Sequence, residues 1–275
     1  MIPFLRPFDP LPPVASARAD MGGLLAVGGD LSAERIVDAY RQGVFPWGTV
    51  EQQPLWYSPD PRMVLFPNEF HLSGSLRKTL RGRRHEVRFD SDFPAVIEAC
   101  AAMPRPGQDG TWITPDMMDA YIRLHELGWA HSVEVYAEGD LTGGLYGIAI
   151  GRMFYGESMF SRRSDASKIA FAHLIRYLLA HDFAMIDCQM RTEHLVSLGG
   201  REIPRDDFID RLQQLTRGEP RPGRWTADEA DGLPGGHREP RIPDSKQGLR
   251  ADAEADAQVP DVQHQLAGHH WRSCS

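Results

Sequence analysis

The chain reads as a mixed α/β fold, and three features of its sequence carry that reading. A segment of helical period, from Thr114 to Gly128, is followed directly by three alternating strand segments, HSVEVYA, LTGGLYGIAIG and RMFYGESMFS. A second helical segment opening at Ser164 and Asp165 then feeds another strand, FAMIDCQM, so helices and strands interleave around a meander. With 275 residues, 41% hydrophobic and 25% charged, the chain has enough apolar surface for one large domain or two small ones.

The elements follow in order. Residues 1–67 are rich in Pro, Gly and Trp and read as a small N-terminal lobe. Within it Ser32 is a good helix cap, and Ile36, Val37 and Tyr40 share one face before Gly43 stops the helix. Residues 68–226 form the second domain. It begins with HLSGSLRKTLRGRRHEVRF, where Ser73 caps a helix and Arg77, Lys78, Arg81, Arg83, Arg84 and Arg88 make a dense basic cluster in a chain of net charge −8. That asymmetry points to an anionic partner, and the competing reading is a solvated helix face. Thr114 then caps a helix with Pro115 in its first position, Met117, Tyr121 and Leu124 repeat along one side, and Gly128 ends it. EGD supplies a hairpin turn between the first two strands. Ile169, Ala172, Leu174 and Leu178 mark the next helix, and RTEHLVSLGG a short one ending at Gly199 and Gly200. From Ala227 to Ser275 nine acids face five bases among Gly, Pro and Ala, so residues 227–275 are expected to be a disordered acidic tail. Its His264, His269, His270 and Cys274 could ligate a metal, but tail histidines without a folded scaffold are more often incidental.

Several function classes lack support. No apolar run approaches the ~20 residues of a membrane span, and prolines interrupt the N-terminus MIPFLRPFDPLPP where a signal peptide needs an apolar core, so a cytoplasmic protein is expected. Cys100, Cys188 and Cys274 are widely spaced and form no CxxC pair, which predicts reduced thiols. The chain contains no GxxxxGK[ST], no GxGxxG between strand and helix, no HExxH and no GxSxG, so neither a cofactor nor a metal is expected. What remains is a set of aromatics, Tyr40, Trp47, Trp56, Trp112, Tyr121, Phe154 and Phe160, beside Glu157, Asp187 and Gln189. An apolar cavity with a few convergent polar groups is the description of a small-ligand site, although the same aromatics also suit a plain packed core. In AMIDCQM, strand alternation sends the Asp187 and Gln189 side chains from the same face, ~6.5–7 Å apart. Asp187 could equally serve a turn or cap, and Glu157 an ion pair with Arg162 or Arg163.

The runs GGLLAVGGDLS, AYRQGVFPW, WYSPDPR, GTWIT, YIRLHELGWAHSVEV, LTGGLYG, GESMFS, ASK, IDCQ and SLGGREIPR, in this order from about Gly22 to Trp225, resemble the leucyl/phenylalanyl-tRNA–protein transferase family. The resemblance implies a small N-terminal lobe joined to a domain like GCN5-type acetyltransferases. It implies transfer of leucine or phenylalanine, and also methionine, from aminoacyl-tRNA to proteins with N-terminal Arg or Lys, marking them for N-degron proteolysis; a monomer is expected. It puts Trp47, Trp112 and Phe154 around the aminoacyl side chain and terminal adenosine, with Tyr40 and Tyr121 nearby. Gly156, Glu157 and Ser158 would shape the reacting centre, Asp187 and Gln189 would act in catalysis, and Arg77, Lys78, Arg81, Arg83 and Arg84 would track the tRNA acceptor stem. Under this reading Gln189, oriented by Asp187, accepts a hydrogen bond from the attacking amine, and Glu157 is compensated by cationic substrate groups. Leu174 and Leu178 stand where some members carry aromatic residues, which leaves the shape of the side-chain pocket open. Two other classes compete. An acyl-CoA-dependent N-acetyltransferase would need a Q/RxxGxG/A loop, which FSRRSDASK lacks, and a non-catalytic tRNA-end or N-degron binding module would bind without transferring.

Overall fold

The computed structural model describes residues 1–82, 85–103, 111–218 and 223–226. Arg83, Arg84 and the tail from Ala227, with its histidines and Cys274, lie outside the described residues.

Near the N-terminus a four-stranded sheet is built from β1 (Phe4–Leu5), β2 (Leu24–Gly28), β3 (Phe45–Val50) and β4 (Gln53–Tyr57), in the order β1-β2-β4-β3. Between β2 and β3 runs α1 (Ala33–Arg41). The Ser32 hydroxyl accepts the Arg35 N–H and caps it, and Ile36, Val37, Ala39 and Tyr40 turn to the core as their spacing predicts.

The second sheet has seven strands, β5 (Arg62–Leu65), β6 (Glu86–Phe89), β7 (Ala130–Ala137), β8 (Asp140–Ile150), β9 (Met153–Ser161), β10 (Met185–Gln189) and β11 (Arg201–Ile203), ordered β11-β5-β10-β9-β8-β7-β6. The expected meander is β7-β8-β9, and β5, though within the first 67 residues, pairs in this larger sheet. All neighbours are antiparallel except β9 and β10, which run parallel because α5 (Ala166–Ala180) carries the chain back between them.

The other helices are α2 (Gly74–Arg81), α3 (Phe93–Ala102), α4 (Pro115–Glu126), α6 (Glu193–Ser197) and α7 (Arg205–Leu215). One core joins α1 and the small sheet to α3, α4 and α7, through Tyr40, Trp56, Phe93, Tyr121, Tyr155 and Phe208. The other cluster joins α5 to the opposite side of the large sheet through Val133, Leu145, Phe154 and Ile186. The large sheet is therefore covered on both faces, and the small lobe shares its core with the helices on one of them. Among the described residues no helix is long and apolar enough to cross a membrane.

Candidate active site

The site arises where β9 and β10 part. Their parallel pairing ends with Asp187 opposite Tyr155, and β9 then continues toward Ser161 paired with β8 but no longer with β10. A cavity of about 490 Å³ opens at the divergence, walled by Trp47, Trp112, Phe154, Gly156, Ser158, Phe160, Phe171, Leu174 and Cys188, with Glu157 and Gln189 among its polar groups.

Two β-bulges bring those polar groups together. On β9, Gly156 pairs with Gly147 and Ser158 with Tyr146, so Glu157 is the extra residue. On β10, Asp187 pairs with Val64 and Gln189 with Met63, so Cys188 is extra. The second bulge is completed by Gln189 itself, whose φ of 59° is left-handed, an uncommon state for a residue other than glycine. Two hydrogen bonds hold it there: its backbone N–H donates to Asp187 Oδ1 at 2.9 Å, and its side-chain Nε2 donates to Glu157 Oε1 at 3.1 Å.

This corrects one expectation. Simple alternation predicted that Asp187 and Gln189 leave the same face; the bulge breaks the alternation, so Gln189 lines the cavity while Asp187 does not. The Asp187 carboxylate is fully buried and engaged by Arg62, whose Nε and Nη2 donate to its two oxygens at 2.8 and 2.7 Å. Asp187 therefore orients the main chain of Gln189 rather than its amide. Arg62 also donates to the Gly43 carbonyl at 3.0 Å and lies between the rings of Phe45 and Phe208, 4.8 and 4.6 Å away. The small lobe, β5, β10 and α7 thus meet on one guanidinium. Sequence reading passed over Arg62; its only signal was a charge opening the otherwise apolar run RMVLF.

Glu157 is within hydrogen-bonding distance of Tyr40 Oη at 2.6 Å and Tyr121 Oη at 3.0 Å, and the two phenol oxygens are 2.7 Å apart. Burial raises the Glu157 carboxyl to about 7; the tyrosine hydrogen bonds oppose the rise, and the Asp187 charge adds to it. Tyr40 and Tyr121, expected near the aminoacyl group, are fully buried and stand behind Glu157 rather than on the cavity wall. Glu157 pairs with neither Arg162 nor Arg163: Arg163 binds Glu138 at 2.8 Å, and Arg162 donates to the Leu141 carbonyl at 3.2 Å. Trp56 belongs to the core, donating to the Gly28 carbonyl at 2.8 Å. Leu174 lines the cavity, whereas Leu178 packs within the α5 cluster.

The basic segment forms α2, capped by Ser73 as expected, with Lys78 and Arg81 exposed and Arg77 half-buried. Arg88 lies on β6, bound to Glu86 at 2.7 Å and set over the Tyr136 ring. Among the described residues no group of three His, Cys, Asp or Glu is placed to hold a metal ion.

The sequence model described as leucyl/phenylalanyl-tRNA protein transferase matches residues 64–213, and that of the family's N-terminal domain matches residues 29–60. This chain belongs to the leucyl/phenylalanyl-tRNA protein transferase family. The leucyl/phenylalanyl-tRNA–protein transferase of Dechloromonas aromatica (strain RCB) is 68% identical over 232 residues, covering 84% of this chain and 99% of that one. The transferase of the same name from Chromobacterium violaceum is 58% identical over 224 residues, covering 82% and 95%. Among solved structures, a GCN5-related N-acetyltransferase-like protein from Streptococcus suis 89/1591 overlays with a TM-score of 0.32 and 13% identity, over 62% of this chain and 64% of that one. The bulged residues of β9 and β10 lie within residues 64–213, while Arg62 and Met63 fall between the two matched ranges.

Proposed function

We propose that this chain is an aminoacyltransferase that moves leucine or phenylalanine, and methionine, from tRNA onto the N-terminal Arg or Lys of acceptor proteins, and that it does so in the cytoplasm, as a monomer, feeding N-degron proteolysis. The observation that carries the reading is the cavity itself: an aromatic and aliphatic chamber with one amide and one carboxyl at its floor, in a member of the transferase family. Such a chamber selects side chains by size and apolarity, which suits Leu, Phe and Met and discriminates modestly between them. In this reading Trp47, Trp112, Phe154, Gly156 and Ser158 enclose the aminoacyl end and its adenosine. Tyr40 and Tyr121 act at one remove, by holding Glu157. Residues 1–67 supply one wall through Trp47, and residues 68–226 carry the reacting groups.

The aminoacyl ester is already activated, so peptide-bond formation needs neither ATP nor a metal. An α-amine of pKa ~7.7–8.0 is ~10–20% neutral at pH 7, so the nucleophile exists without a strong base. Alignment of amine and carbonyl is then the main contribution, worth several kcal/mol and up to roughly 7–11 in the best cases. Gln189 supplies it: its Nε2 is held by Glu157, which leaves its carbonyl oxygen to accept from the incoming amine. Single-turnover transfer by Gln189→Ala is expected to slow on the order of a hundredfold, and an unchanged rate would remove this role. Arg77, Lys78 and Arg81 of α2 contact phosphates of the acceptor stem without reading sequence, and Arg83 and Arg84 extend the same run.

The whole reading is tested by incubating the protein with labelled Leu-, Phe- and Met-tRNA and a model protein beginning with Lys or Arg. Label is expected on those acceptors and absent from one beginning with Ala. Binding of aminoacyl-tRNA without label transfer would instead identify a binding module.

A further inference from the structure

Four oxygens behind the cavity floor stand in three contacts: Tyr40 to Tyr121 at 2.7 Å, Tyr40 to Glu157 Oε1 at 2.6 Å, and Tyr121 to Glu157 Oε2 at 3.0 Å. Separations of this size between oxygens need a hydrogen in each contact, since lone pairs facing one another repel. Each phenol brings one hydrogen. Gln189 adds a donor to Glu157 Oε1 but none to the three oxygen contacts. If both tyrosines donate to an ionised Glu157, nothing is left for the contact between them. One more proton closes the set: Glu157 Oε2–H donates to Tyr121, Tyr121 donates to Tyr40, and Tyr40 donates to Glu157 Oε1.

We infer that Glu157 carries this third proton in the resting protein, closing a hydrogen-bonded ring with Tyr40 and Tyr121, and that a cationic group of the acceptor displaces it to solvent on entering the cavity. The surroundings agree. Tyr40 on α1 and Tyr121 on α4 are buried and pushed well above the ordinary phenol range, so both remain donors. Asp187 on β10 opposes a negative charge at Glu157, and its partner Arg62 on β5 favours one, the two being paired with each other. Burial is the largest influence and keeps the carboxyl protonated up to about pH 7. A cation brought against the carboxyl reverses the preference, and the balance is an ammonium plus a carboxylic acid giving an ion pair plus one released proton. A neutral ligand leaves the ring closed, so the floor of the cavity responds to charge. This second half rests on the acceptor reading proposed above.

The resting proton is tested without any substrate, by carbon NMR of protein labelled at the glutamate carboxyls. The Glu157 resonance is identified by its loss in Glu157→Gln, and Glu134, also buried and shifted upward, through Glu134→Gln. If the first variant folds poorly, Tyr121→Phe moves the same resonance and identifies it. A midpoint near neutrality is expected; ionisation in the ordinary range around ~4.3 would overturn the ring. Calorimetry of an Arg-starting peptide, about one pH unit below that midpoint in buffers of different ionisation heat, should show close to one proton released per peptide bound, and none in Glu157→Gln. Binding with no proton released by the wild type overturns the displacement. Failure of the peptide to bind overturns the acceptor reading and the displacement with it, while the resting titration still decides the ring.

Discussion

At Glu157 the energetic cost of a buried carboxyl is moved onto its pKa. Its folded value of about 7 stands above the ordinary 4.5, so its neutral form favours the fold fully below pH 4.5, and that contribution is lost as pH rises through about 7. Glu157→Gln keeps the neutral shape at all pH. Urea denaturation should therefore show the variant gaining on the wild type between pH 4.5 and 7, by about 3 kcal/mol in total, with no further change above. Arg62 presents the opposite case, a buried charge that is needed because its partner is charged. Arg62→Met leaves Asp187 alone in the core and is expected to cost about 3–5 kcal/mol, read from the denaturation midpoint. The double variant Arg62→Met/Asp187→Leu should recover most of that stability without recovering transfer, because the Gln189 N–H then has no acceptor to hold its left-handed turn. Glu157, Asp187 and Gln189 were legible as residues. Their relation was not, because alternation assumes an unbroken strand and β9 and β10 are both bulged.

The elements with one buried stripe and one wet face were readable. α1 and α4 carry caps at Ser32 and Thr114, apolar residues at helical spacing and stop glycines, and each of these local signals agrees with the others. α3 escaped notice because FPAVIEACAA is apolar nearly all round: it buries Phe93, Val96, Ile97, Ala99 and Cys100 and shows no polar stripe to give its period away. The chain-distant pairing of β5 with β10 and β11 left no local trace either. Among the elements, α2 carries the clearest electrostatic expectation. Replacing Arg77, Lys78 and Arg81 together by alanine should weaken aminoacyl-tRNA binding and lower the slope of log affinity against log salt by about two to three, measured by filter binding across a salt series. A slope unchanged by the triple substitution would make α2 a merely solubilising face.

On the scale of the whole molecule, the two sheets are not independent, since residues of the small lobe share a core with α3, α4 and α7. The described end of the chain is tied in as well. Trp225 stacks between His131 and Tyr177, with ring centroids 4.1 and 4.2 Å away, and its backbone N–H donates to Asp90 Oδ2 at 2.7 Å. Asp90 also binds His131 at 2.8 Å, so the indole covers a buried polar pair. Trp225→Ala is expected to cost about 3–5 kcal/mol in urea denaturation, and a chain stopped after residue 222 should lose a similar amount, whereas one stopped after residue 226 should not.

The amino-acid sequence by itself determined the α/β class, the caps and turns of the meander, the basic character of α2 and the family, because each of these is written in neighbouring residues or in ordered runs of them. Only the tertiary structure decided that Arg62 answers Asp187 and that Glu157 rests on Tyr40 and Tyr121, partners that lie 125, 117 and 36 residues apart along the chain. The physical reason is that a buried charge or carboxyl is satisfied by whatever the fold brings within hydrogen-bonding reach, and reach across a folded core has no counterpart in sequence spacing.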